Sequence, residues 1–205
     1  DAERIRDHGL LVVYANWSYL KNHALDNGAF RNLALEWVAY VAGKRESRRL
    51  MGDVVLTQND ILRQVAYEDA SVTTSWTIDL HYPDPKNTRF FSGDEFKAVC
   101  NQEEIELYPI PYRCFYSRNV SNLFMAGRNI SVTHVALGTV RVMRTTAMMG
   151  EVVGMAAAVC RRHDVLPRTV YTSYLPELRS LMQKGCGQQD LPNNQQFNIG
   201  RRKHH

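Results

Sequence analysis

The chain has 205 residues, a length for one domain or one and a half. Hydrophobic residues make up 44% and charged residues 22%, which supports a packed core and argues against general disorder. A net charge of +4 is too mild and too scattered to predict a nucleic-acid partner, and no apolar run approaches the roughly 20 residues that cross a bilayer.

In chain order, residues 3–23 place Ile5, Leu10, Leu11, Val12, Tyr14, Trp17 and Leu20 at mostly helical spacing. "LALEWVAYVAG" (33–43) reads as a strand ended by glycine, and "ESRRLMGDVVLT" (46–57) as a second strand broken by a Gly-Asp turn or bulge. Thr57 followed by Asp60 marks a short helix start. "SVTTSWTIDLHY" (71–82) alternates and is rich in β-branched and aromatic residues, so it reads as one strand. The Pro/Asn/Gly-punctuated stretch that follows is a loop, and "EIELYPIPYRCFYS" is extended, with Pro109 and Pro111 excluding helix. A long helix is expected over about 140–162 and another over 175–185, with Pro176 in its first turn and Gly185 as its stop. From Cys186 onward the sequence reads as a surface tail.

Cys100, Cys114, Cys160 and Cys186 form no CxxC, a spacing that suits free thiols. The seven histidines form no HxxxH or HxH, so no metal site is predicted. The opening "DAERIRDHGLLVVYANWSYL" lacks an initiator Met and reads as the middle of a helix, which leads us to expect a portion preceding it. The compartment, cytoplasmic or periplasmic, stays open.

The stretch "NLFMAGRNISVTHVALGTVRVMRTTAMMGEVVGMAAA" (122–158) carries the most information. Leu123–Ala126 is an unbroken apolar run, suited to a strand buried on both faces in a parallel sheet. Ligands of such sheets lie beyond the carboxyl ends of the strands, where Gly127 and Arg128 sit. Ala147, Gly150, Gly154 and Ala158 fall along one helix face, and each interior glycine costs about 1 kcal/mol relative to alanine. That points to contact closer than a Cβ permits. Thr139, Val140 and Arg141 are expected among the first helical residues, offering free N–H groups to a partly negative oxygen. A tightly packed strand–helix unit without ligand fits these physical points equally.

The stretch resembles the C-terminal flavin-binding segment of bacterial FAD-dependent oxidoreductases of the glutathione-reductase-like superfamily. The resemblance rests on Ala126-Gly127-Arg128, on His134, Ala136, Gly138, Thr139 and Arg141 as His-x-Ala-x-Gly-[Ser/Thr]-x-Arg, and on Met149-Gly150-x-x-x-Gly154. "KRESRRLMGDVVLT", "TIDLHYPD" and "IPYRCFYS" resemble the family's substrate-side strands, so the likeness covers most of 10–185. It implies a mixed α/β (α+β) fold: the last strand and helix of a Rossmann-like FAD-binding domain, with substrate-side strands. The expected division is 1–115 for the substrate side, 116–185 for the FAD-domain segment, and 186–205 for the tail.

The resemblance implies FAD as cofactor, with Arg128 beside the ribityl–pyrophosphate and Gly138–Arg141 facing the flavin N1/C2=O edge. Cofactor binding is thereby expected at Ala126, Gly127, Arg128, Gly138, Thr139, Val140 and Arg141. The Gly-rich GxGxxG half is absent from the sequence, so we expect a fragment whose missing N-terminal portion holds the ADP half.

His81, on the Thr77–Asp79–His81 face of its strand, is a candidate for proton transfer or for a structural role. His134 and Arg141 complete the catalytic candidates. Arg45, Arg48 and Arg49 suit either an anion clamp or pairing with Glu46 or Asp53, and Arg113 is an outlying substrate-binding candidate. The reading is a fragment of an enzyme that takes a hydride equivalent from a small organic substrate onto flavin, with oligomeric state open. The alternatives are a non-catalytic binding or interaction domain, with Arg128 and Arg141 in structural ion pairs, and an enzyme holding FAD structurally.

Overall fold

A computed structural model describes residues 2–24, 28–43, 45–46, 48–83 and 98–185. The stretches 84–97 and 186–205, expected as loop and tail, lie outside the described residues. The fold is mixed α/β, as the sequence pattern predicts. The chain divides into two units, Asp1–Arg45 with His81–Val99, and Glu46–Leu80 with Cys100–His205.

In the first unit the predicted N-terminal helix forms as α1, Ala2–Asn22, and none of its residues is buried. Lys21 at its C-terminal end donates to the carbonyls of Phe30, Arg31 (2.9 Å) and Leu33 (2.8 Å). Arg6 near its start donates to the Tyr40 hydroxyl at 2.8 Å. The segment between these two ties, 33–41, is the first predicted strand. Its residues 34–39 make no backbone hydrogen bond among the described residues, so it belongs to no ladder.

The second unit holds the core. β1 (Ala70–Thr74) is buried throughout and pairs antiparallel with β4 (Tyr108–Pro111), with a register irregularity between Ala70 and Val72. Pro109 and Pro111 lie opposite Thr73 and Ala70, and proline is tolerated on an edge strand such as β4. β2 (Ile78–Pro83) and β3 (Ala98–Glu103) form another two-stranded ladder. The single strand expected over 71–82 is therefore two. Around Trp76 side chains replace the ladder: its N–H donates to Thr74 Oγ1, and its carbonyl accepts from Thr139 Oγ1.

The expected strand over 46–57 is also corrected. Its N–H groups go to loops: Leu50 to Asn129 O, Val54 to Arg113 O and Leu56 to Ser131 O, with one isolated parallel bridge at Leu56–Val132. Gly52 serves this threading, because a Cβ there would lie 2.3 Å from the Arg113 carbonyl. The short helix α2 (Gln58–Leu62) starts where predicted, with Thr57 and Asp60 closing a reciprocal capping box. The apolar run at 123–126 is not a parallel strand. Met125 N bonds Phe115 O, Ser117 N bonds Leu123 O, and the Tyr116–Phe124 bridge is antiparallel.

The long helix forms as α4 (Met143–His163), preceded by a separate α3 (His134–Val140). Asp164 in a left-handed conformation (φ 51°) ends α4. A helix that the sequence reading missed, α5 (Pro167–Ser173), leads to α6 (Leu175–Lys184), which begins and ends as expected at Pro176 and Gly185. Met148, Met149, Val152, Ala156 and Val159 of α4 meet Val72, Ile110 and Leu178 in one apolar cluster. Each such fully buried side chain contributes about 1.5–3 kcal/mol relative to exposure.

Candidate functional site

The segment 126–146 is built from its turn forward. Gly127 takes φ 99°, a conformation that an L side chain resists, and nothing lies within 4 Å of where its Cβ would be. Ala126 and Arg128 on either side are exposed, and Arg128 has no side-chain partner among the described residues. The chain then descends to Thr133, whose Oγ1 accepts from Ala136 N and caps α3. His134 is the first residue of that helix and is exposed.

Gly138, Thr139 and Val140 are buried at the C-terminal end of α3 rather than at a helix start. This corrects the expectation that they carry free helical N–H groups. Capping by Thr133 starts the helix six residues early, and Arg141 is its C-cap. The unpaired N–H groups belong instead to Met143, Arg144 and Thr145, the first turn of α4, whose N-cap Val142 makes no side-chain bond.

Gly138 is the position where close approach is real. A Cβ there would lie 3.0 Å from the Asp79 carbonyl and 3.1 Å from its nitrogen. Thr139 bonds the Trp76 carbonyl at 2.5 Å and accepts from the Tyr108 hydroxyl at 3.0 Å. Burial pushes the Tyr108 phenol well above its ordinary range, which keeps it a neutral donor. Arg141 donates to the carboxylate of Glu46 and, at 2.8 Å, to the Asp79 carbonyl. Its side chain is 11% exposed. Thr145 Oγ1 donates to Thr74 Oγ1 at 3.0 Å and fixes the first turn of α4 on β1. By contrast Gly150 and Gly154 of α4 face open space, so no described residue makes the close contact expected of them.

The remaining candidates separate. His81 is exposed and falls in the first unit, whereas His134 and Arg141 belong to the second. Arg113 forms a bidentate pair with fully buried Asp69, at 2.9 Å to each oxygen. Asp53 is held by Arg168 and by the Tyr116 hydroxyl. The Arg168 bonds, ahead of the Tyr116 bond, hold its carboxyl below the usual range. Glu46 pairs with Arg141 and Asp53 with Arg168. Sequence reasoning missed Glu46, Asp79 and Tyr108 as partners, since 95, 62 and 31 residues separate the bonded pairs and no local pattern announces them. Cys114 is buried with its thiol pushed up by burial, Cys100 is exposed, and neither is in a disulfide.

A turn with positive φ, a short capped helix and a second helix with free N–H groups define a unit able to present backbone donors to a ligand oxygen. The chain belongs to the FAD dependent oxidoreductase family, whose model matches residues 2–182. No curated protein and no solved structure matches it. Its cofactor is FAD. The residues present fit one end of that group: the free N–H groups at Met143–Thr145 suit a flavin oxygen, which gains negative charge on reduction. The given sequence holds no Gly-rich cradle for the ADP half.

Proposed function

We propose that the chain is the C-terminal portion of a bacterial flavin oxidoreductase of the glutathione-reductase-like superfamily, acting on a small organic substrate. FAD, when bound, would accept a hydride equivalent from that substrate at its N5. In this reading 1–115 serves the substrate side, and 116–185 supplies the last strand-loop-helix of a Rossmann-like FAD-binding domain. The missing N-terminal portion holds the ADP half. The observation that carries it is the family match over 2–182 together with the unpaired N–H groups that open α4.

Each residue then has a role. Ala126, Gly127 and Arg128 form a turn with exposed flanks, and the guanidinium of Arg128, without a side-chain partner among the described residues, is available to an anionic ribityl–pyrophosphate oxygen. Gly138, Thr139 and Val140 seat α3 tightly, so that the α3–α4 junction is held at a fixed height. Arg141 is a positioning residue: its bonds to Glu46 and the Asp79 carbonyl anchor the junction from which α4 projects its donors. His81 and His134, both exposed, are the proton-transfer candidates.

The non-catalytic alternative requires both Arg128 and Arg141 in structural ion pairs. Arg141 meets that requirement and Arg128 does not. The test is the visible absorption spectrum of the purified chain with an intact mass on the same sample. Flavin bands are expected only at a mass larger than this chain's. Bands at the mass of the 205 residues alone would remove the need for a Gly-rich portion.

A further inference from the structure

We infer that Asp79, His81 and Cys100 form a binding site for a divalent cation of the zinc class on the β2–β3 ladder. The proposal stands on this ladder alone and is independent of the flavin reading. In a cation-loaded chain His81 is a ligand, and proton transfer falls to His134.

Asp79 and His81 stand two residues apart on β2, and alternate residues of a strand share one face. Cys100 stands on β3, the strand paired with β2. A carboxylate oxygen, an imidazole nitrogen and a thiol sulfur thereby come within 4.8 Å of one another. No local spacing announces the set, because Cys100 follows Asp79 by 21 residues.

The distances suit tetrahedral coordination. Zinc holds a carboxylate oxygen at about 2.0 Å and a thiolate sulfur at about 2.3 Å, so a tetrahedral angle sets the two about 3.5 Å apart. Cys100 Sγ lies 3.4 Å from Asp79 Oδ1, with the thiol donating. The cation takes the place of that thiol proton. A sulfur–metal bond forms as the S–H bond breaks, the proton leaves to water, and no electron changes hands. The exposed ring of His81 needs only a small side-chain rotation to complete the set.

Arg141 prepares the carboxylate. Its guanidinium donates to the Asp79 carbonyl at 2.8 Å and lies 3.9 Å from Asp79 Oδ2. One oxygen of Asp79 is thus turned to Arg141 while the other faces Cys100. Outer partners that orient a ligand in this way raise metal affinity. Carboxylate and thiolate together offset the charge of a divalent ion, and His81 coordinates as the neutral ring.

The donors select the ion. Magnesium and calcium take oxygen ligands, whereas a set of one sulfur, one nitrogen and one oxygen suits zinc. Three protein ligands leave the fourth tetrahedral position to water. Cys100 and His81 are exposed, so the ion enters from solvent.

The test is a titration of this chain with Co²⁺, a coloured stand-in for zinc, in a Cys186→Ser background that removes the tail thiol. About one equivalent should bind, with a thiolate-to-cobalt charge-transfer band that Zn²⁺ then abolishes. Cys100→Ser should remove the band, and His81→Gln and Asp79→Asn should each weaken binding about tenfold or more. The absence of a thiolate band in the background protein refutes the proposal without reliance on any ligand variant. A band that survives Cys100→Ser, or an affinity unmoved by His81→Gln, places the ion elsewhere and refutes it equally.

Discussion

The guanidinium of Arg141 lies 2.8 Å from the carbonyl of Asp79, a residue 62 positions earlier in the chain, while also holding the Glu46 carboxylate. The bond ties the junction of α3 and α4 to the start of β2. Gly138, three residues before Arg141, meets the same peptide at 3.0 Å, so two positions of one short helix grip one strand residue.

Gly138→Ala drives a methyl into the Asp79 backbone, which cannot swing aside as a side chain would. We expect a destabilisation of about 1–3 kcal/mol, read as a lower denaturant midpoint. Gly150→Ala is the control. Its Cβ enters open space inside a helix, and the change should stabilise by about 1 kcal/mol. A loss of stability there would mean that another surface covers this face of α4.

Arg141→Met removes the bonds to the Glu46 carboxylate and the Asp79 carbonyl. The expected loss is about 1–3 kcal/mol. Arg141→Lys retains the charge without the planar fork that spans carboxylate and carbonyl, and should recover only part of it. Urea titrations of the two variants beside the parent decide this, and equal midpoints for all three would contradict the positioning role.

Asp69 is fully buried and Arg113 is its bidentate partner. Arg113→Ala leaves a buried carboxylate unpaired and should cost about 3–5 kcal/mol. Replacing both, with Asp69→Asn in the Arg113→Ala background, should restore a good part of that loss. A double variant as unstable as the single one would show that the charge is not the cause.

Asp53 and Glu177 set the acid limb of stability. Arg168 bonds lower the Asp53 pKa most, and the His163 bond at 2.7 Å does so for Glu177. A folded pKa below the unfolded value gives stability that is present above the unfolded pKa, near 4. It is lost as pH falls through the folded value. Thermal midpoints should therefore drop below about pH 4. Asp53→Asn should flatten that drop, and an unchanged slope would argue against the assignment.

Much of this architecture was legible in the sequence. The 3.6-residue spacing that begins at Ile5 is realised in α1, and the Thr57–Asp60 pair caps α2 as its chemistry dictates. Pro176 and Gly185 bound α6 because proline suits a first helical turn and glycine tolerates positive φ. These signals are local, and each states its outcome within a few residues. The His-x-Ala-x-Gly-Thr-x-Arg pattern likewise named the family.

Pairing was not legible. Residues 33–43, 46–57 and 71–82 all have strand-like patterns, yet only the last joins ladders, and it does so as two strands. A periodicity records which faces are apolar, whereas a ladder needs a partner at the right distance. Thr139 bonding the Trp76 carbonyl removed that partner at one point, and the tie of Arg141 to Glu46 likewise spans 95 residues. The sequence alone determined α1, α2 and α6, the capping box of α2, the family and its cofactor, because those follow from short-range chemistry and motif. Tertiary structure alone decided which arginine is anchored, which glycine is pressed against a backbone and which strand is left without a sheet. Those depend on contacts between residues that only folding brings within a few ångströms.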